Sequence, residues 1–349
     1  MARKPTMTDI AAACGVSQAT VSLVLNGAPG TRISAATRAA VSAKAREMGY
    51  ARAARSGGRR PLVAMLINDV TCSPHVAGLI EGVSEAAIEA GLLVSVMPTG
   101  GDEAAEAAAF EHLEAVGARG VIYARLVTQA VAPPAPLLRR PAVLLNCHAP
   151  GDPCPSVVPG DLAAGLTATL ALLDAGHRRV AFIGGEDSIE ASRERLKGYR
   201  RALAMREAPA DPALVVKGGW TIAGGRAAIE RLARLPDPPT AVFCFCDRTA
   251  VGVYDGAAAL GLRVPQDLSV VGFDNEAFTA DMAPPLSTME LPHADMARHA
   301  VEELHRLMTQ PGAQARHPRM KFDCPLVARL SVGAPGRAAG AKALSRARS

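Results

Sequence analysis

Between residues 62 and 273, short apolar runs alternate with longer stretches that read as helices, and this alternation restricts the fold more than any other feature of the chain. The runs fall at 62–67, 92–96, 120–123, 142–145, 179–183, 214–216, 241–245 and 268–273. The helical stretches between them lie at 75–90, 103–116, 162–175, 190–206, 222–234 and 248–260. Strand, helix, strand in succession builds parallel sheets covered on both faces, and there are enough units for two sheets. The expected fold from residue 62 onward is therefore α/β. Two proline-containing stretches, 133–136 and 150–159, read as loop-rich. Residues 334–349, rich in Ala, Gly, Arg and Ser, read as a disordered tail.

The first 50 residues read as an all-α module. Thr6 is placed to cap a helix over 7–14, with Asp9 as its capping-box partner, and Gly15 ends it. Ser17 caps a second helix over 18–25, stopped by Asn26 and Gly27, and Ser34 caps a third over 35–48, ended by Gly49. Residues 51–61 form a basic, glycine-containing linker, and 62–333 the large domain. Net charge is +5, but it is unevenly spread. Residues 1–60 carry ten Lys/Arg and two acids, a balance of +8, which leaves 28 Lys/Arg against 31 acids, or −3, for the remainder. A basic head on a near-neutral body fits a nucleic-acid-binding module attached to a separate sensor. A solvated basic tail would show the same balance.

Several function classes are disfavoured. No apolar run is long enough to span a bilayer. Residues 1–25 lack the basic leader, apolar stretch and small-residue cleavage site of a secretory signal. The seven scattered cysteines, an odd number, fit a reducing cytoplasm better than a disulfide framework. Cys244 and Cys246 lie within one apolar run, where joint metal ligation is disfavoured. There is no Gly-x-Ser-x-Gly elbow, P-loop, His-Glu-x-x-His motif or dinucleotide glycine fingerprint. Nothing calls for catalysis, a cofactor, a metal or a membrane partner.

Residues 6–27 carry the DNA-binding signal. Ile10, Ala11, Val16, Val21, Val24 and Leu25 give each of the first two helices an apolar face, and Gly15-Val16 makes the bend between them. The second helix turns Gln18, Ala19, Ser22 and Leu23 outward, and short side chains there let its backbone sit deep in a major groove. Ser17, Thr20 and Asn26 suit phosphates, as do the free N–H groups at the helix start. A small helical bundle with another role is the alternative. The elements Asp-Ile-Ala at 9–11, Gly-Val-Ser at 15–17, Thr-Val-Ser at 20–22, Val-Leu-Asn at 24–26, Thr-Arg at 37–38 and Met-Gly-Tyr at 48–50 closely resemble the head of the lactose/galactose repressor family of bacterial regulators. The resemblance implies base contacts from Gln18, Ala19 and Leu23, and phosphate contacts from Thr6, Ser17, Ser22, Asn26, Ser34 and Thr37. Many relatives carry arginine where Leu23 stands; leucine offers a base only apolar contact, for instance with a thymine methyl. Relatives usually continue with a longer hinge segment that wedges a leucine into the minor groove. Here Gly57 stands where the wedge is expected, and glycine neither favours helix nor intercalates. A hinge helix of the usual kind is therefore not expected, while Arg52, Arg55, Arg59 and Arg60 are available to phosphates or a narrow minor groove.

The resemblance continues from about residue 62 to 333. Its best segments are 176–185 (Gly-His-Arg-Arg-Val-Ala-Phe-Ile-Gly-Gly), 195–199 (Arg-Leu-Lys-Gly-Tyr) and 268–275 (Leu-Ser-Val-Val-Gly-Phe-Asp-Asn). It implies the fold of periplasmic sugar-binding proteins: two lobes, roughly 62–159 with 290–321 and 160–289 with 322–333, around a ligand cleft. A cleft site also follows from topology, because open parallel sheets bind ligands outside the carboxyl ends of their strands. Asp69, Cys246 and Asp274 fall at strand ends, Ser73 and His75 at the next helix start, and Trp220 after the run at 214–216. Arg195 leads the Leu-Lys-Gly-Tyr turn. The resemblance makes Asp274 an acceptor for ligand hydroxyls, Arg195 a donor and Trp220 a stacking surface. Plainer readings stay open: Asp274 as a helix cap, Arg195 as one of a run of surface basics, Trp220 as core, His75 as structural. Relatives commonly have Asn where Cys246 stands and Asn-Pro-Phe where this chain has Ser-Pro-His at 73–75. The expected effector is a sugar or polyol, with a nucleoside or another metabolite as alternatives. The family implies a cytoplasmic homodimer that reads a near-palindromic operator and represses transcription under effector control. A solute receptor of the same fold would lack the basic head. No leucine heptad follows Gly333, which favours a dimer over a tetramer.

Overall fold

Caps and glycines set the first helices. Thr6 Oγ1 accepts from Asp9 N at 3.3 Å while Thr6 N donates to Asp9 Oδ2 at 2.7 Å, the reciprocal bonds of a capping box. Gly15 then ends the helix at φ 62°, a left-handed conformation that glycine adopts without a Cβ penalty. A computed structural model describes residues 6–25, 33–48, 60–70, 75–310, 317 and 319–336. The chain divides into two units, 1–59 and 60–349.

In the first unit, α1 (Met7–Cys14) and α2 (Gln18–Leu25) meet at 106°, within the range of a helix-turn-helix, and α3 (Ala35–Glu47) closes the core. Ile10, Val21 and Val41 are fully buried between them. Linker residues 51–59, Gly57 included, lie outside the described residues, as do 337–349 of the tail.

The second unit runs β1 (Leu62–Ile67), α4 (His75–Glu89), β2 (Leu93–Pro98), α5 (Glu103–Val116), β3 (Gly120–Ala130), α6 (Ala135–Leu138), β4 (Ala142–His148), β5 (Ser156–Pro159), α7 (Asp161–Asp174), β6 (Val180–Gly184) and α8 (Glu190–Met205). It continues with β7 (Val215–Lys217), α9 (Ile222–Ala233), β8 (Ala241–Cys244), α10 (Asp247–Ala259), β9 (Ser269–Asp274), β10 (Ser287–Glu290), α11 (His293–Thr309), β11 (Arg319–Phe322) and β12 (Leu326–Val327). One sheet has the order β11-β5-β4-β3-β1-β2, the other β12-β10-β9-β8-β6-β7. All pairings are parallel except β10 with β12. The chain crosses between the lobes after β5, after β10 and after β11. Gly160 N donates to Phe322 O at 2.7 Å, tying the first and third crossings together.

The central strands are covered on both faces, which is why β1 and β8 are unbrokenly apolar, whereas the edge strand β2 is only partly buried. Val63, Met65 and Ile67 of β1 pack under α4 and α11, whereas Ala64 and Leu66 pack against α5 on the opposite face. In the second lobe Ala241 and Phe243 face one core, Val242 and Cys244 the other.

Three details go beyond the sequence reading. The stretch 150–159 is not all loop, because Ser156–Pro159 forms β5, fully buried between β4 and β11. Its brevity and terminal proline hide the strand pattern. Within 133–136 a short α6 begins at Ala135, with Pro136 in its first turn, where the missing N–H needs no partner and the preset φ suits a helix. The run at 120–123 extends to Ala130 as β3, through a register shift between Ala124 and Gln129 that carries residues 125–128 toward the ligand side.

Candidate functional site

The helix-turn-helix presents its reading face on α2. Gln18, Ala19 and Leu23 are exposed, Leu23 at 39%, while Val21 and Val24 are buried in the core. Ser17 Oγ accepts from Thr20 N at 3.1 Å and lies 2.9 Å from Thr20 Oγ1, capping the helix that would enter a groove. Ser34 and Thr37 repeat the arrangement at the start of α3, at 3.0 and 2.8 Å. Thr6 is exposed at the start of α1, and Ser22 is half-buried. Asn26, Arg52 and Arg55 lie outside the described residues.

In the second unit, a cavity of about 410 Å³ lies between the lobes. It sits at the carboxyl ends of both sheets, where the strand order reverses between β1 and β3 and between β6 and β8. Asp69, Arg195, Trp220, Cys246 and Asp274 all line it. Ser73 and the side chain of His75 fall outside what the structure describes. The cavity also has Thr128, Asn146, Arg248 and Glu276 in its wall, residues not singled out from the sequence. Asn146 carried a signal: it is a polar interruption of an apolar run, and it adopts φ 56°, where asparagine is favoured over other side chains. Its Nδ2 donates to Leu126 O at 2.8 Å and its Oδ1 accepts from Thr128 Oγ1 at 2.8 Å, fixing the bulged end of β3.

Arg195 is not a surface basic residue. It is 4% exposed; Nε donates to Asp161 Oδ1 at 2.8 Å and Nη1 to Phe245 O at 2.6 Å. Its guanidinium lies 3.3 Å from the ring centre of Phe273 and 4.7 Å from that of Phe245. Packing between α7 and α8 places it there. Gly165 lies against Arg195 O and Gly198 against Leu162 O, and a methyl group at either glycine would collide with that backbone. The close approach brings Asp161, the first residue of α7, to Arg195. Burial pushes the Asp161 carboxyl above its usual range and the Arg195 charge pulls it back.

Around this pair the floor is tightly specified. Asp274 holds φ 120°, a strained backbone for a residue with a side chain, and such strain clusters at ligand sites. Asp247, fully buried beneath it, accepts from Thr288 Oγ1 at 2.6 Å and from Glu276 N at 2.9 Å. Burial, then the neighbouring Asp274 charge, pushes the Asp247 carboxyl well above the carboxylate range. Cys246 Sγ lies 3.2 Å from Thr249 Oγ1, and burial raises its thiol to about 12, leaving it a neutral polar wall rather than a nucleophile. Trp220 is half-buried and held edge-on to Phe245, ring centres 4.6 Å apart at 82°, with the indole at the cavity wall. Among the described residues no group of three or more His, Cys, Asp or Glu side chains is arranged to hold a metal ion. No single described helix is long and apolar enough to cross a membrane.

Comparison with known proteins agrees with this division of labour. Residues 6–53 match the family model for bacterial regulatory proteins of the lacI family, and residues 169–332 that for a periplasmic binding protein-like domain. The chain is 32% identical to the HTH-type transcriptional repressor CytR of Escherichia coli (strain K12), over 94% of this chain and 96% of that protein. It is 32% identical to the ribose operon repressor of the same organism, over 88% and 94%. A solved complex of the transcriptional regulator CelR with cellobiose superposes with a TM-score of 0.66 at 29% identity, over 94% of this chain and 99% of that one. With a helix-turn-helix head, a two-lobed sensor and relatives that are transcription regulators, the chain belongs to the lacI family of DNA-binding bacterial regulatory proteins.

Proposed function

We propose that the chain is a cytoplasmic homodimeric repressor that reads a near-palindromic operator with paired α2 helices and is switched by a small polyhydroxylated effector held between the lobes. In this reading Gln18, Ala19 and Leu23 touch bases, while Thr6, Ser17, Thr20, Ser22, Asn26, Ser34 and Thr37, with Arg52 and Arg55, hold phosphates. The observation that carries the effector half is the convergence of Arg195, Asp274 and Trp220 on one cavity. A buried guanidinium to donate, a carboxylate to accept and an aromatic wall for a ring face suit a sugar or polyol. Asp69 and Cys246 complete the wall, with Ser73 and His75 as further contacts. The effector acts by its differential affinity for two lobe arrangements, which changes the spacing of the heads.

The test is thermal unfolding of the purified protein against sugars, polyols and nucleosides, with ribose and cellobiose first because relatives are named for them. A ligand at about a hundred times its Kd adds ~2.7 kcal/mol of stability. The shift should vanish in Asp274→Ala. A shift that survives Asp274→Ala would place the effector elsewhere.

A further inference from the structure

His148 ends β4 in the first lobe, and Glu190 begins α8 in the second. His148 Nε2 lies 2.8 Å from Glu190 Oε2 and 3.0 Å from Oε1, so the pair spans the two lobes. His148 is 8% exposed, and its Nδ1 is buried without a partner. The Nε2 contact is thus the hydrogen bond its ring makes. Neither residue lines the cavity, yet both flank residues that do: Asn146 precedes His148 by two positions, and Ile189 and Ala191 sit on either side of Glu190. The bridge stands at the rim, and separating the lobes there must break it. A second interlobe contact brings Thr128 to the Asp161 carboxylate. That one ends on the carboxylate that holds Arg195, so it belongs to the ligand-facing network, whereas the His148–Glu190 bridge does not.

We propose that His148 and Glu190 form a clasp that holds the lobes together without touching the effector. They are positioning residues: they set how readily the cleft opens, and therefore how much of the effector's binding is used to close it. The inference requires only that the lobes part. It does not depend on which effector binds, so it can fail while the effector reading stands, and the reverse.

The only tryptophan of the chain, Trp220, lies in the cavity wall and reports opening directly. Acrylamide quenching of its fluorescence, in the full-length protein without added ligand, measures solvent access to the cleft. Glu190→Lys should raise the quenching constant roughly twofold, because the clasp is broken and the closed population falls. His148→Ala, made on the lobe opposite Trp220, should raise it likewise. Combining His148→Glu with Glu190→Lys restores an opposite-charge pair and should return quenching to the wild-type value, a rescue that a purely structural defect would not show. Where a variant lacks wild-type far-UV circular dichroism, Glu190→Ala carries the test, because it removes the acceptor without adding bulk or charge. Wild-type quenching in the folded single variants would overturn the clasp, as would a folded charge-swapped protein that quenches like Glu190→Lys.

Discussion

The head and the cleft place their functional side chains by opposite means. In the head, one eight-residue helix divides its work by face: Val21 and Val24 hold the core while Gln18, Ala19 and Leu23 stand in solvent. In the cleft, residues from Asp69 to Leu291 converge, and the polar ones are largely buried and bound to each other. Arg195 supports α7, α8 and the end of β8 through the same guanidinium that faces the cavity. Fold and function are therefore separable on α2 and inseparable at Arg195. A regulator built this way has a reading face open to substitution and a pocket whose charges are part of its core.

The largest effect should come from breaking that shared role. Arg195→Ala leaves Asp161 buried without its cation and should cost about 3–5 kcal/mol in urea denaturation. A loss below about 1 kcal/mol would mean that the cleft charges are as dispensable as the reading face, and the comparison would collapse. A smaller effect should come from His177, buried in the second lobe outside the cleft wall. Its ring bonds Thr240 Oγ1 at 2.8 Å, and Ser269 Oγ and Gly333 O at 2.9 Å. Burial holds its pKa below the usual histidine value. The unfolded chain therefore takes up a proton near roughly pH 6.5 that the folded chain resists. The stability is fully present above that pH and declines as pH falls below it, until the folded ring also protonates. The melting temperature should drop between roughly pH 7.5 and roughly pH 5, and His177→Gln should show a shallower drop. Equal slopes would remove His177 from the account. The smallest stability change should come from Leu23→Arg, within about 0.5 kcal/mol, because the side chain is exposed. The same variant should alter preference at one symmetric operator position by about 1–3 kcal/mol, read from sequence selection with both proteins. An unchanged preference would show that Leu23 does not touch a base.

The same contrast decides what was legible in the sequence. Caps at Thr6, Ser17 and Ser34 act within three residues, so local pattern suffices, and the fully apolar β1, β8 and β9 announce themselves. β8 is as short but wholly apolar, whereas β5, β10 and β11 carry Ser, Thr, Pro, Arg or Lys among their four residues and β12 has only two. In α11 the signal was present: Met296, Ala297, Ala300, Val301 and Leu304 have helical spacing and are all buried. At the cleft, Asp69, Cys246 and Asp274 were readable because each follows a strong strand. Thr128 and Asn146 depend on the bulge in β3 and on a positive φ. The Asp161–Arg195 pair joins residues 34 apart through two glycine contacts between helices, which no local pattern encodes.

The central claim, that a duplicated head reads DNA, is tested most directly by selecting preferred duplexes from a random pool with the purified full-length protein. The account predicts enrichment of one near-palindromic sequence whose half-sites lie about one helical turn apart, with affinity falling steeply as salt rises. Failure to enrich any sequence, or enrichment of a single unsymmetric half-site, would contradict it.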